Sequence, residues 1–125
     1  MSISVNYFEK FQELYNEVKI SYEKLNKLQS ALDRKVSDIY HDIERTEFNI
    51  VQGHEIARTL KETLQQRRVV KEELALLFPV YNMLMEHSGR VDEQYNRAVR
   101  RSYSIKENLK VTMGIDEVLV ALEVE

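Results

Sequence analysis

A chain of 125 residues has the length of one domain, and an apolar share of 43 % supplies one modest core. Charged residues make up 31 %, above the roughly 25 % of an average globular domain, and the net charge of −3 argues against a general polyanion binder. Cysteine is absent, which excludes disulfides, thiolate zinc sites and cysteine nucleophiles, and three glycines with one proline are too few to turn a β-rich fold of this size.

The first residues, Met1 to Asn6, lack the basic start and apolar run of a secretory signal. The longest apolar run, Leu74 to Tyr81, is far short of the ~18 residues a membrane span needs. The expectation is a cytoplasmic protein that does not enter a membrane.

The first element follows a heptad. Phe11, Val18, Leu25, Leu32 and Ile39 form one series, and Phe8, Tyr15, Tyr22, Gln29, Val36 and Ile43 the other. Alternating by three and four, they make one apolar stripe that requires a partner helix along its length. Asn6 with Glu9 reads as a capping box, so helix 1 is expected from about residue 7 to about residue 47. Asn49 and Gly53 read as the turn that follows.

A second heptad carries Ile56, Thr63, Val70, Leu77 and Leu84 in one series and Leu60, Arg67, Leu74 and Tyr81 in the other. It predicts helix 2 over about 54–87. Pro79 lies inside it, and because the phase survives across the proline, a kinked continuation is expected there. Gly89 reads as a C-terminal cap, followed by helix 3 over about 90–110 on Val91, Tyr95, Ala98, Ser102, Ile105 and Leu109. Residues 111–125 form a short acidic tail with Asp116, Glu117, Glu123 and Glu125; its apolar residues fit either a helix stripe or strand alternation, and a short helix is preferred.

Together these elements predict one all-α domain over residues 1–110, an extended antiparallel three-helix, coiled-coil-like bundle with a short C-terminal tail. A turn near residue 50 places side by side those residues of helices 1 and 2 whose numbers sum to about 101. Arg67, at a seam position, then falls near residue 34, where Asp33 or Asp38 can meet it and set the register. Apolar residues outside the stripe, including Leu14, Ile20, Leu28, Leu64, Val69, Leu76 and Phe78, exceed what one short chain covers, so a homo-oligomer is expected.

No arrangement for catalysis or for holding a metal or other cofactor is evident. His41, His54 and His87 lack the spacing of a helical metal site, and there is no HExxH, phosphate loop or paired nucleophile and base. The expectation is a non-enzyme with no catalytic or metal residues and no cofactor. Six basic residues against three acidic ones lie within residues 90–110, and Arg90, Arg97, Arg100 and Arg101 are the candidates for nucleic-acid contact, weighed against a plain solvated face in which Glu93 neutralises Arg97. Tyrosine buries a ring while keeping a polar tip, so Tyr40, off the stripe, is a candidate partner contact together with Leu76, Phe78, Asp116 and Glu117.

The residues His41-Asp42-Ile43-Glu44, Gly53, and Arg67-Arg68-Val69-Val70-Lys71-Glu72-Glu73-Leu74 followed by Tyr81 carry a resemblance. Over Asp42 to Leu84, about a third of the chain, the sequence resembles small helical proteins encoded by phages and prophages of Gram-positive bacteria. The resemblance implies a gene product acting inside a bacterial cell by binding a host protein and inhibiting or redirecting it, and it brings no catalytic residue. Nucleic-acid association through helix 3, or a structural part in virion assembly, are the alternatives.

Overall fold

The computed structural model describes residues 2–122. They fold into three α-helices, α1 (Ile3–Arg45), α2 (Ile50–Leu109) and α3 (Ile115–Ala121), with no strand among the described residues. The protein is all-α, and α1 and α2 pack against each other along the stripes that the heptads define. Half-buried or buried positions in α1 are Val5, Phe8, Phe11, Tyr15, Val18, Tyr22, Leu25, Gln29, Leu32, Val36, Ile39 and Ile43, and all but Val5 are the two series read from the sequence.

α1 begins earlier than Asn6. The Asn6 N–H reaches the Ser2 carbonyl at 3.5 Å, so Asn6 sits inside the helix rather than capping it. The start of α2 also lies upstream of its expected position, and its chemistry accounts for the shift. The Gln52 N–H donates to Asn49 Oδ1 at 2.9 Å, and the Asn49 N–H donates to Gln52 Oε1 at 3.1 Å. This reciprocal pair is a capping box, with Asn49 as the cap. Gly53 is therefore helical, its N–H bonded to the Asn49 carbonyl at 2.8 Å, and the Phe48 ring lies over it.

The largest departure from expectation is at Gly89. Helix 2 and helix 3, expected to meet at a turn there, are one 60-residue helix. No glycine has a positive φ, so Gly89 lacks the left-handed backbone of a helix cap. The stripe explains why the helix continues. Leu77, Tyr81, Leu84, Ser88, Val91 and Tyr95 are all partly buried at the same three-four spacing, so the phase carried across Pro79 also carries across Gly89. Pro79 is exposed, as is Ala75, whose carbonyl loses its helical donor there, and solvent can satisfy it.

α2 ends in a Schellman motif: the Val111 N–H bonds the Lys106 carbonyl at 2.8 Å, the Lys110 N–H bonds the Glu107 carbonyl at 3.2 Å, and Lys110 takes φ 55°. The tail is helical over Ile115–Ala121, with Asp116 and Glu117 in the first turn, where the helix dipole favours acidic groups. Glu123 and Glu125 lie outside the described residues.

The chain divides into two units. In the unit Val18–Tyr81, Leu32, Val70 and Leu74 form the core with Tyr22 and Leu25 packed on it. Thr63, at 1 % exposure, closes its hydroxyl onto the Thr59 carbonyl at 2.8 Å, so burial leaves no orphaned donor. Tyr22 stacks on Tyr81 with ring centroids 4.0 Å apart. The other unit joins the first seventeen residues to those from Asn82 onward. There Phe8 stacks on Tyr95, also at 4.0 Å, and Val118 and Leu119 of α3 are half-buried.

Two substitutions test these assignments by urea denaturation. A Cβ at Gly89 meets nothing within 4 Å, so Gly89→Ala should stabilise by about 1 kcal/mol through helix propensity; a left-handed cap there would make the same change destabilising. Asn49→Ala should cost about 1 kcal/mol by removing the cap.

Candidate interaction surface

In the unit Val18–Tyr81, antiparallel register is visible in individual pairs. Asp33 with Arg67, and Tyr22 with Phe78, have numbers that sum to 100, and Tyr22 with Tyr81 sums to 103. The expected sum of about 101 therefore holds. Each seam has two flanks. On one, a shallow groove is lined by Asp33, Val36, Ser37, Tyr40, Leu64 and Arg67. On the other, Leu28, Leu32, Gln66, Val69 and Val70 line a second groove with Glu62 and Gln65.

Arg67 occupies its seam position half-buried and donates from Nε to Asp33 Oδ1. Of the two acidic candidates, Asp33 makes the bond and Asp38 does not. Asp33 follows the seam residue Gln29 by one helical turn and lies on the Arg67 flank, whereas Asp38, five residues on, falls on the opposite flank. The pair keeps the guanidinium paired at the edge of an apolar seam, and it works only in one register. Arg68, next to it, turns outward to Glu72 at 3.7 Å and is an ordinary within-helix pair.

The candidate contact residues do not form one cluster. Tyr40 lines the Asp33–Arg67 groove and is 49 % exposed. Phe78 is on the same flank but one end of it packs towards Tyr22, with centroids 6.2 Å apart. Leu76, 72 % exposed, belongs to the opposite flank with Val69. Asp116 and Glu117 are in the other unit, on α3. Sequence reading missed that the off-stripe apolar residues sort into two rows; the signal was present in their offset of one turn from the seam series, Leu64 from Leu60 and Phe78 from Leu74 on one side, Leu28 and Val80 each one residue before a seam position on the other.

In that other unit, Arg90, Arg97, Arg100 and Arg101 are all exposed on α2. Arg97 is held by Glu93 at 2.9 Å. Arg97 and Arg101 edge a shallow groove with Ala98, Ser102, Ile105 and Lys106. Among the described residues no three acidic or histidine side chains gather as a metal site, and no helix is long and apolar enough to cross a membrane. Comparison with protein-family models, with curated proteins and with solved structures finds no match to the chain.

The register pair is open to a double-mutant cycle. Asp33→Ala and Arg67→Ala, singly and together, should show a coupling of about 0.5–1 kcal/mol that shrinks in high salt, since both side chains remain partly exposed at 47 % and 33 %. Zero coupling at low salt would remove the register role.

Proposed function

We propose that this chain is a phage-type helical interaction module, active in the bacterial cytoplasm as a homo-oligomer, that binds a host protein and modulates or inhibits it. The observation that carries the reading is the apolar rows left on both flanks of a seam that buries little. Leu64, Phe78 and Tyr40 stand exposed on one flank, and Val69, Leu76 and Val80 on the other. Exposed apolar rows of this extent, rimmed by charge, are what contact surfaces look like on soluble proteins. The Asp33–Arg67 flank suits a protein target best. Tyr40 and Leu64 supply an aromatic and an aliphatic anchor, and the ion pair at the groove floor supplies polar specificity. The acidic first turn of α3 supplies a second, charged contact.

One observation favours a second reading, nucleic-acid association: Arg97, Arg101 and Lys106 edge a single groove on α2. The Glu93 partner of Arg97 and the acidic balance of the chain weigh against it.

Affinity capture from a Gram-positive lysate, read by mass spectrometry, compares the wild type with Tyr40→Glu/Leu64→Glu. The expected result is one bacterial protein enriched by the wild type and lost in the variant. Equal recovery by both, or by neither, removes the reading. Fluorescence anisotropy with duplex DNA and with RNA tests the alternative: binding that falls steeply with salt and disappears in Arg97→Glu/Arg101→Glu supports it, and no binding at low salt eliminates it.

A further inference from the structure

We infer that the flank carrying Leu28, Val69, Leu76 and Val80 is the docking face for a second copy of this chain, giving an isologous four-helix pair in which α1 of each copy lies on α2 of the other. The inference rests on the reading of the exposed rows as contact surfaces and assigns one of them. Two observations carry it.

The first is area. The chain exposes 10422 Å², whereas a folded monomer of its 14.8 kDa mass exposes about 7,000 Å² by the usual scaling of surface with mass. The difference, roughly 3,400 Å² over the whole chain, leaves room for the ~800 Å² that each partner contributes to a standard stable interface. The interior points the same way. Apart from Thr63, only Leu32, Val70 and Leu74 are buried among the described residues, and Val69 at 68 % and Leu76 at 72 % exposure lie one residue from Val70 and Leu77 of the seam. A facing layer set on this flank would extend the existing core instead of starting a new one, since Leu32 and Val70 already line its groove.

The second is charge. Between residues 21 and 35 of the flank, α1 presents Ser21, Lys24, Leu28, Ala31 and Lys35, with no acidic residue before Asp38, and between residues 66 and 80 α2 presents Gln66, Val69, Glu73, Leu76 and Val80, with no basic one. A two-fold axis parallel to the helices sets the α1 row of one copy on the α2 row of the other at the register already used within the chain. Lys24 then falls within one turn of the partner copy's glutamate at position 73, and Leu28 sits between the partner copy's two apolar side chains at positions 69 and 76. A two-fold perpendicular to the helices would set lysine on lysine and is disfavoured.

Sedimentation equilibrium of the full chain tests this. The wild type is expected at twice the chain mass at tens of micromolar. Val69→Glu/Leu76→Glu, outside the seam, should run at the mass of one chain with unchanged helical circular dichroism, while Ile20→Glu, on the outer face of α1, should remain a dimer. Glu73→Lys should weaken the dimer about tenfold, since an isologous interface feels each change twice, and adding Lys24→Glu should restore it. A wild type that stays monomeric at about 100 µM, a dimer that survives Val69→Glu/Leu76→Glu, or a failure of the charge exchange to restore association would each overturn the proposal. Target capture by the monomeric variant would show the host-protein reading standing without it, because capture is assigned to the opposite flank.

Discussion

The three-four return of apolar side chains to one helix face is the constraint on which the structure depends. In α2 that rhythm runs from Gly53 to Tyr95 without a slip. Any insertion or loop at Pro79 or Gly89 would rotate everything downstream out of phase with α1, at the expense of contacts such as the Phe8–Tyr95 stack. Set against that, roughly 3 kcal/mol for a proline inside a helix and about 1 kcal/mol for a helical glycine are the lesser cost. Burial of the stripe thus overrides two residues that ordinarily end helices.

A seam between two helices covers each residue on only one side. That is why positions with full heptad credentials, such as Val36, Leu60 and Leu77, stay half-exposed and why only four described residues are buried. Polar seam residues are tolerated for the same reason: Thr63 satisfies itself within its own helix, and Arg67 reaches the edge and meets Asp33. Such a seam leaves its flanks chemically distinct, one built around an ion pair and an aromatic ring, the other around aliphatic side chains between lysine and glutamate, and distinct flanks allow distinct partners.

Much of this was legible in the sequence because heptads are periodic and periodicity averages over local noise. The α1 series, the α2 series to Leu84, the register sum and an acidic partner for Arg67 at Asp33 or Asp38 all follow from spacing alone. What was misread follows from single residues. Gly53 and Gly89 are of a type that commonly ends helices, although glycine in a helix is only about 1 kcal/mol worse than alanine and the stripe through Val91 and Tyr95 is in phase with that through Leu84. Asn6 and Glu9 have the spacing of a capping box but lie inside the helix, while Asn49 with Gln52 forms that motif in a stretch whose composition is also that of a turn. A place off the stripe marks a candidate contact without saying which flank the residue joins; Leu76 and Phe78, two positions apart, join opposite ones.

α2 also outruns its partner helix. Beyond Tyr95 every residue through Leu109 is exposed, although Ala98, Ser102 and Ile105 continue the stripe. Those turns are held by backbone bonds and the terminal Schellman motif, and a solitary helical stretch of that length is marginal in water. The segment therefore frays more readily than the packed turns before it, and whatever orders it by covering the stripe must offset a conformational entropy loss that the rest of α2 has already met. An uncovered end of this kind opens locally at lower free energy than the packed turns, so its amide hydrogens exchange with solvent first.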